Sequence, residues 1–90
     1  MLESFRTGSF KQEYALAKKR GKNMDKLIEV MCLIIQEDPL PPRCRNHPLH
    51  GNWAGFSECH IEGDWLLVYR IDEAKRRVYF SHTGSHSDIF

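Results

Sequence analysis

Glu58-Cys59-His60-Ile61-Glu62-Gly63-Asp64-Trp65-Leu66-Leu67-Val68-Tyr69 is the stretch on which the fold turns. Gly63 and Asp64 are turn formers between two runs of apolar and aromatic residues, which predicts strands over Phe56 to Ile61 and Trp65 to Ile71. A third strand-like run, Arg77 to His82, follows the polar stretch Asp72 to Arg76. The three read as an antiparallel meander.

Upstream of the meander the pattern changes. Pro39, Pro41, Pro42 and Pro48, with Gly51 and Gly55, forbid regular helix and predict a loop that carries His47 and His50. Before it, Met24, Leu27, Ile28, Met31, Ile34 and Ile35 recur at helical spacing, with Asn23 as N-cap and the helix running up to Asp38-Pro39. Phe10, Tyr14 and Ala17 mark an earlier helix that Gly21 stops, so the two helices form a hairpin; residues 2 to 6 suit a short strand. Thr83 to Phe90 read as turn formers followed by an apolar terminus that docks back on the domain. The order is strand, helical hairpin, then three further strands: an α+β fold with the helices on one face of an antiparallel sheet.

Ninety residues, 41% apolar and 28% charged, suit one soluble domain over residues 1–90 with one modest core. The longest apolar run, Val30 to Ile35, cannot span a bilayer, and Met1 to Phe10 carries Glu3 and Arg6 in place of a signal-peptide core. A cytoplasmic location without membrane association is the expectation. Cys32, Cys44 and Cys59 are odd in number and lack CxxC spacing, so they read as reduced thiols. The net charge of +1 hides basic clusters at Lys18, Lys19, Arg20 and Lys22, at Arg43 and Arg45, and at Arg70, Lys75, Arg76 and Arg77. Such clusters suit polyanions, though they serve equally as solvated faces.

All five histidines, His47, His50, His60, His82 and His86, lie in the second half of the chain. Histidine exchanges protons near neutrality because its unperturbed pKa is about 6.5, so several around one cleft suit acid-base catalysis. His50, next to Leu49 in a turn, reads as a surface or capping residue, and Glu62 as simply exposed. Cys44, His47, His50, Cys59 and His60 are chemically competent zinc ligands, yet their spacing matches no closed zinc template; no metal and no cofactor is expected. Asp64 and Trp65 open a strand directly after Gly63, where they either face a cleft or serve as a turn cap and a core residue.

Taken together, Asn46-His47-Pro48-Leu49, Glu58 to Tyr69 and Thr83-Gly84-Ser85-His86-Ser87-Asp88-Ile89-Phe90 resemble the YafQ branch of the RelE-like toxins, in order and in spacing, across essentially the whole chain. The resemblance implies a type II toxin that acts as an mRNA interferase, cutting messenger RNA in the ribosomal A site. It implies inhibition by a cognate antitoxin, and contact with operator DNA only through that antitoxin. By position, His47, His60, Asp64, Trp65, His86 and Phe90 match the family's active-site residues. His82 stands where the family usually has arginine before Thr-Gly, which implies an attenuated enzyme or one in which Arg70, Arg76 or Arg77 takes over the phosphate.

The implied chemistry needs a base for the ribose 2′-hydroxyl and an acid for the leaving 5′-oxygen. His86 and His60 are the leading pair, with Asp64 as base or orienting carboxylate and His47 as a further proton-transfer or phosphate-binding group. Trp65 and Phe90 are expected to position substrate by stacking or by shaping the pocket, and Arg70 and Arg77 to bind it. Two other readings compete: a domain that acts chiefly by binding its antitoxin in operon autoregulation, and an RNA-binding module without catalysis.

Overall fold

The computed structural model describes residues 1–90. Strand β1 (Glu3–Arg6) leads into helices α1 (Gly8–Lys19) and α2 (Met24–Ile35); β2 (His47–Pro48), β3 (Ser57–Glu62), β4 (Trp65–Asp72), β5 (Arg77–Gly84) and a short helix α3 (His86–Ile89) follow. The α+β class, the helical hairpin and the β3–β4–β5 meander are as the sequence predicts. Three features differ. The sheet is mixed rather than wholly antiparallel: its order is β1-β5-β4-β3-β2, and β1 runs parallel to β5. With helices following it directly, β1 has no hairpin partner and pairs across a long connection, as parallel strands must. The predicted loop holds the two-residue strand β2, whose Pro48 lacks a donor and is tolerated because β2 is an edge. The tail forms a helical turn in which Ser85 and Asp88 make a reciprocal capping box.

Both long helices end in the Schellman pattern. After α1, Lys22 N–H reaches Ala17 O and Gly21 N–H reaches Lys18 O, with Gly21 at φ 79°. After α2, Asp38 N–H reaches Leu33 O and Glu37 N–H reaches Ile34 O, with Glu37 at φ 61°. That left-handed Glu37 ends α2 at Ile35, short of the predicted Asp38. Asn23 occupies the N-cap position of α2 but its side chain makes no capping bond, whereas Thr7 Oγ1 accepts the Phe10 N–H at the start of α1. The core lies between the hairpin and one face of the sheet. Phe10 and Leu27 from the helices meet Cys59, Leu67, Val78 and Phe80, all fully buried.

Strand parity decides what reaches the other face. On β4, Trp65, Leu67 and Tyr69 join the core, so Leu66, Val68 and Arg70 point away from the helices. On β5 the register slips: Val68 pairs with His82 but Tyr69 with Phe80, leaving Ser81 as the extra residue of a bulge. Val78 and Phe80 face the helices, and past the bulge Thr83 does too, which turns His82 and Gly84 to the open face. Beyond the end of β1 the free edge of β5 is satisfied by α1: Thr7 Oγ1 donates to Ser81 O, and the Glu13 carboxylate accepts from Thr83 N–H.

Candidate active site

Glu58 sits on the open face of β3, opposite Val68, and is only 5% exposed. Three imidazoles surround its carboxylate. Nε2 of His86, His47 and His60 lie 3.5, 3.7 and 3.9 Å from the same oxygen, Glu58 Oε1. His60 lies two residues along β3 on the same face, His47 faces Glu58 across the β2–β3 pair, and His86 arrives from α3.

Each ring is fixed through its other nitrogen. Nδ1–H donates to Arg45 O in His47 (2.7 Å), to Gly63 O in His60 (3.0 Å), to Asp64 Oδ1 in His86 (2.5 Å) and to Glu13 Oε1 in His82 (3.0 Å). Carbonyls and carboxylates only accept, so all four rings carry hydrogen at Nδ1, which leaves Nε2 of His47, His60 and His86 turned toward Glu58. A common tautomer held by common means leaves Nε2 as the working atom in every case.

The Asp64–His86 pair is electrostatically distinct. The hydrogen bond to Asp64 raises the His86 pKa above its ordinary value of 6.5, against a smaller opposing cost of desolvation. The same bond, helped by the His86 backbone N–H, holds Asp64 below its ordinary 3.8. His86 therefore keeps its proton further into the neutral range than a free imidazole.

Aromatic rings close one side. Trp53 packs edge-on against His82, with centroids 5.5 Å apart, and against Phe90 at 5.0 Å; Phe90 in turn lies 6.2 Å from His86 and is half exposed. The α3 turn is tied down by Asp88, which approaches Arg20 of the α1 end at 3.8 Å. Clefts flank the cluster. One of about 540 Å³ is lined by Arg20, Lys22, Asp64 and Trp65, and one of about 340 Å³ by Lys26, Arg43, Arg45 and His60.

Of the residues singled out from sequence, the structure gathers His47, His60, Asp64, His86 and Phe90 into one cluster, with His82 beside Trp53. Trp65 does not join them as a stacking surface. It lies on the helix side, 3% exposed, with its indole N–H spent on Thr83 Oγ1, so it forms a wall of the larger cleft. Arg70 is one face-step along β4 from Val68, but Arg77 lies five residues from His82, roughly 16 Å along the strand, and bonds Glu3. Arg76 is taken up by Glu37 and Glu73. His50 is exposed, as expected. The cysteines and histidines of the zinc alternative are separated by the sheet, Cys44 and Cys59 being buried with the core, and no group of three His, Cys, Asp or Glu donors is poised to hold a metal.

Three participants escaped the sequence reading. Glu58 was legible in principle, because Glu58 and His60 share strand parity. Trp53 closes a single 3-10 turn, Gly51–Trp53, inside the proline-rich loop, and Glu13 is 69 residues from His82, so neither carried a local signal.

The chain is similar to known proteins along nearly its whole length. It is 39% identical over 85 residues to the mRNA interferase toxin YafQ of Escherichia coli strain K12, covering 93% of this chain and 90% of that one. It superposes on the YafQ of the E. coli DinJ-YafQ complex with a TM-score of 0.91 at 35% identity, covering 100% and 99% of the two chains. A metal-bound toxin from Helicobacter pylori matches with a TM-score of 0.94 at 33% identity, both chains fully covered. The model of the bacterial toxin of type II toxin-antitoxin systems, YafQ, matches residues 2–90, and the chain belongs to that family.

Proposed function

We propose that this chain is the endoribonuclease toxin of a type II toxin–antitoxin pair and that it cuts messenger RNA by acid-base chemistry on the open face of its sheet. The observation that carries this reading is the convergence of three imidazole Nε2 atoms on one buried carboxylate oxygen, each ring locked from behind.

His60 takes the proton from the ribose 2′-hydroxyl on Nε2, its Nδ1–H being held by Gly63 O. The freed oxygen attacks the adjacent phosphorus, and His86, kept protonated by Asp64, gives its proton to the departing 5′-oxygen. The products are a 2′,3′-cyclic phosphate and a 5′-hydroxyl. Glu58 balances the charge of whichever rings are protonated, and His47 binds the phosphate from the β2 edge. Phe90 and Trp53 hold a base.

His82 is the weak point. An arginine would offer the phosphorane a permanent forked charge; His82 offers one imidazole, and Glu13 already occupies its Nδ1–H. This supports an enzyme slower than its relatives. The same contact favours a second reading, in which a weak nuclease acts chiefly by binding its antitoxin. Relatives crystallised as the DinJ-YafQ complex support a cognate antitoxin here. Leu16 and Ile28, exposed on the helices, offer it an apolar seat. The site of action is the cytoplasm, on the messenger in the ribosomal A site.

The test is cleavage of a defined messenger by the protein in a purified translation system, with analysis of the cut ends. Ends carrying cyclic phosphate from the parent, and none from His86→Ala with antitoxin affinity retained, support the nuclease. Lack of cleavage by both the parent and His82→Arg leaves antitoxin binding as the function.

A further inference from the structure

One step beyond the histidine row, the open face carries a second row that the cleavage chemistry does not use. Phe5 on β1 pairs with Tyr79 on β5, and Tyr79 with Arg70 on β4, so the three side chains lie abreast on the same face as His82 and Glu58. The rings of Phe5 and Tyr79 are stacked, with centroids 5.3 Å apart and planes inclined by 21°. The Arg70 guanidinium lies over the Tyr79 ring at 4.5 Å, and that of Arg77 over Phe5 at 5.2 Å. Phe5 is 37% exposed, Tyr79 and Arg70 are half-buried, and Arg70 makes no ion pair with a carboxylate, resting only on the Tyr79 ring.

We infer that this row is a second RNA contact, which holds the strand one nucleotide or more away from the cut; the inference rests on the nuclease reading above. Exposed aromatics on a sheet face, bracketed by arginines, are what unpaired RNA uses: bases stack on the rings and phosphates meet the guanidinium groups. The row lies about 7 Å along β4 and β5 from the Val68–His82 pair, continuous with the face that carries the cluster. A half-buried guanidinium resting on a ring, with no carboxylate partner, is a weak contact that a nucleotide replaces on both counts, its phosphate taking Arg70 and its base taking the ring. Arg77, bonded to Glu3, braces Phe5 from the outer side.

The experiment measures binding of 2′-O-methylated RNA, which lacks the nucleophile and is not cut, to the full chain. For a strand of about ten nucleotides, Phe5→Ser and Tyr79→Ser each weaken binding roughly tenfold, whereas a dinucleotide binds as it does to the parent. Arg70→Gln lowers the slope of log affinity against log salt by about 0.7, the loss of one single-strand phosphate contact. Equal affinities and slopes in variants that melt like the parent overturn the inference. So does a loss confined to antitoxin binding. If either serine variant fails to fold, the salt slope of Arg70→Gln decides. Cleavage plays no part in the readout: a parent that binds RNA through the row but never cuts sinks the nuclease reading alone, and one that cuts while ignoring the row sinks this inference alone.

Discussion

His86 and Asp64 define the electrostatics of the site at the level of single side chains. With the His86 pKa raised, the contribution of the pair to stability is complete below pH 6.5 and fades as pH rises through the folded value; with Asp64 lowered, it is lost again as pH falls through the carboxylate's folded value below 3.8. In an NMR titration His86 should change charge above 6.5, and in Asp64→Asn its midpoint should return toward 6.5. A midpoint indifferent to Asp64 contradicts the hydrogen bond. At position 82 an arginine should raise the cleavage rate on the order of a hundredfold; an unchanged rate disposes of the attenuation idea. The residue types of the site were legible in the sequence, because histidines, aspartate and terminal phenylalanine fall in recognisable motifs. The role of Glu58 was legible only in part: strand parity put it beside His60, but the folded sheet alone brings His47 and His86 to the same carboxylate.

Among the elements, the turn after α1 shows how backbone chemistry fixes a boundary. A Cβ at Gly21 would meet no atom within 4 Å, so only its φ of 79° needs glycine. Gly21→Ala should therefore destabilise the protein by about 1 kcal/mol, seen as a lower thermal midpoint with unchanged cleavage. Glycine and proline made this turn and the proline-rich loop readable in advance. The end of α2 was not, because a glutamate in the left-handed region carries no such mark and is held there by tertiary partners, Arg76 and the N-terminal amine. The β5 bulge was equally hidden. Strict alternation from Val78 and Phe80 puts His82 on the helix side, and only the slip at Ser81 turns it outward.

On the scale of the whole molecule, one core holds hairpin and sheet together. Leu27 is fully buried between them, and Leu27→Ala should cost about 2–5 kcal/mol, enough to threaten a domain this small. Thiol labelling gives a second view of the same packing. Cys32 is exposed, while burial pushes the Cys59 thiol up to about 12 and raises that of Cys44, so a mild alkylating reagent should modify one cysteine in the native state and three after denaturation. Native labelling of Cys59 would mean the core opens more readily than its contacts imply.

The central place of β5 in the sheet has a consequence for how such a protein is made. β1 and α1 wait for a partner strand that emerges some seventy residues later, and His86 follows β5 in turn. A chain still in synthesis has its helices and its first strand but neither the strand that closes the sheet nor His86. The histidine cluster is therefore the last part of the molecule to be assembled, and it exists only once β5 has taken its place between β1 and β4.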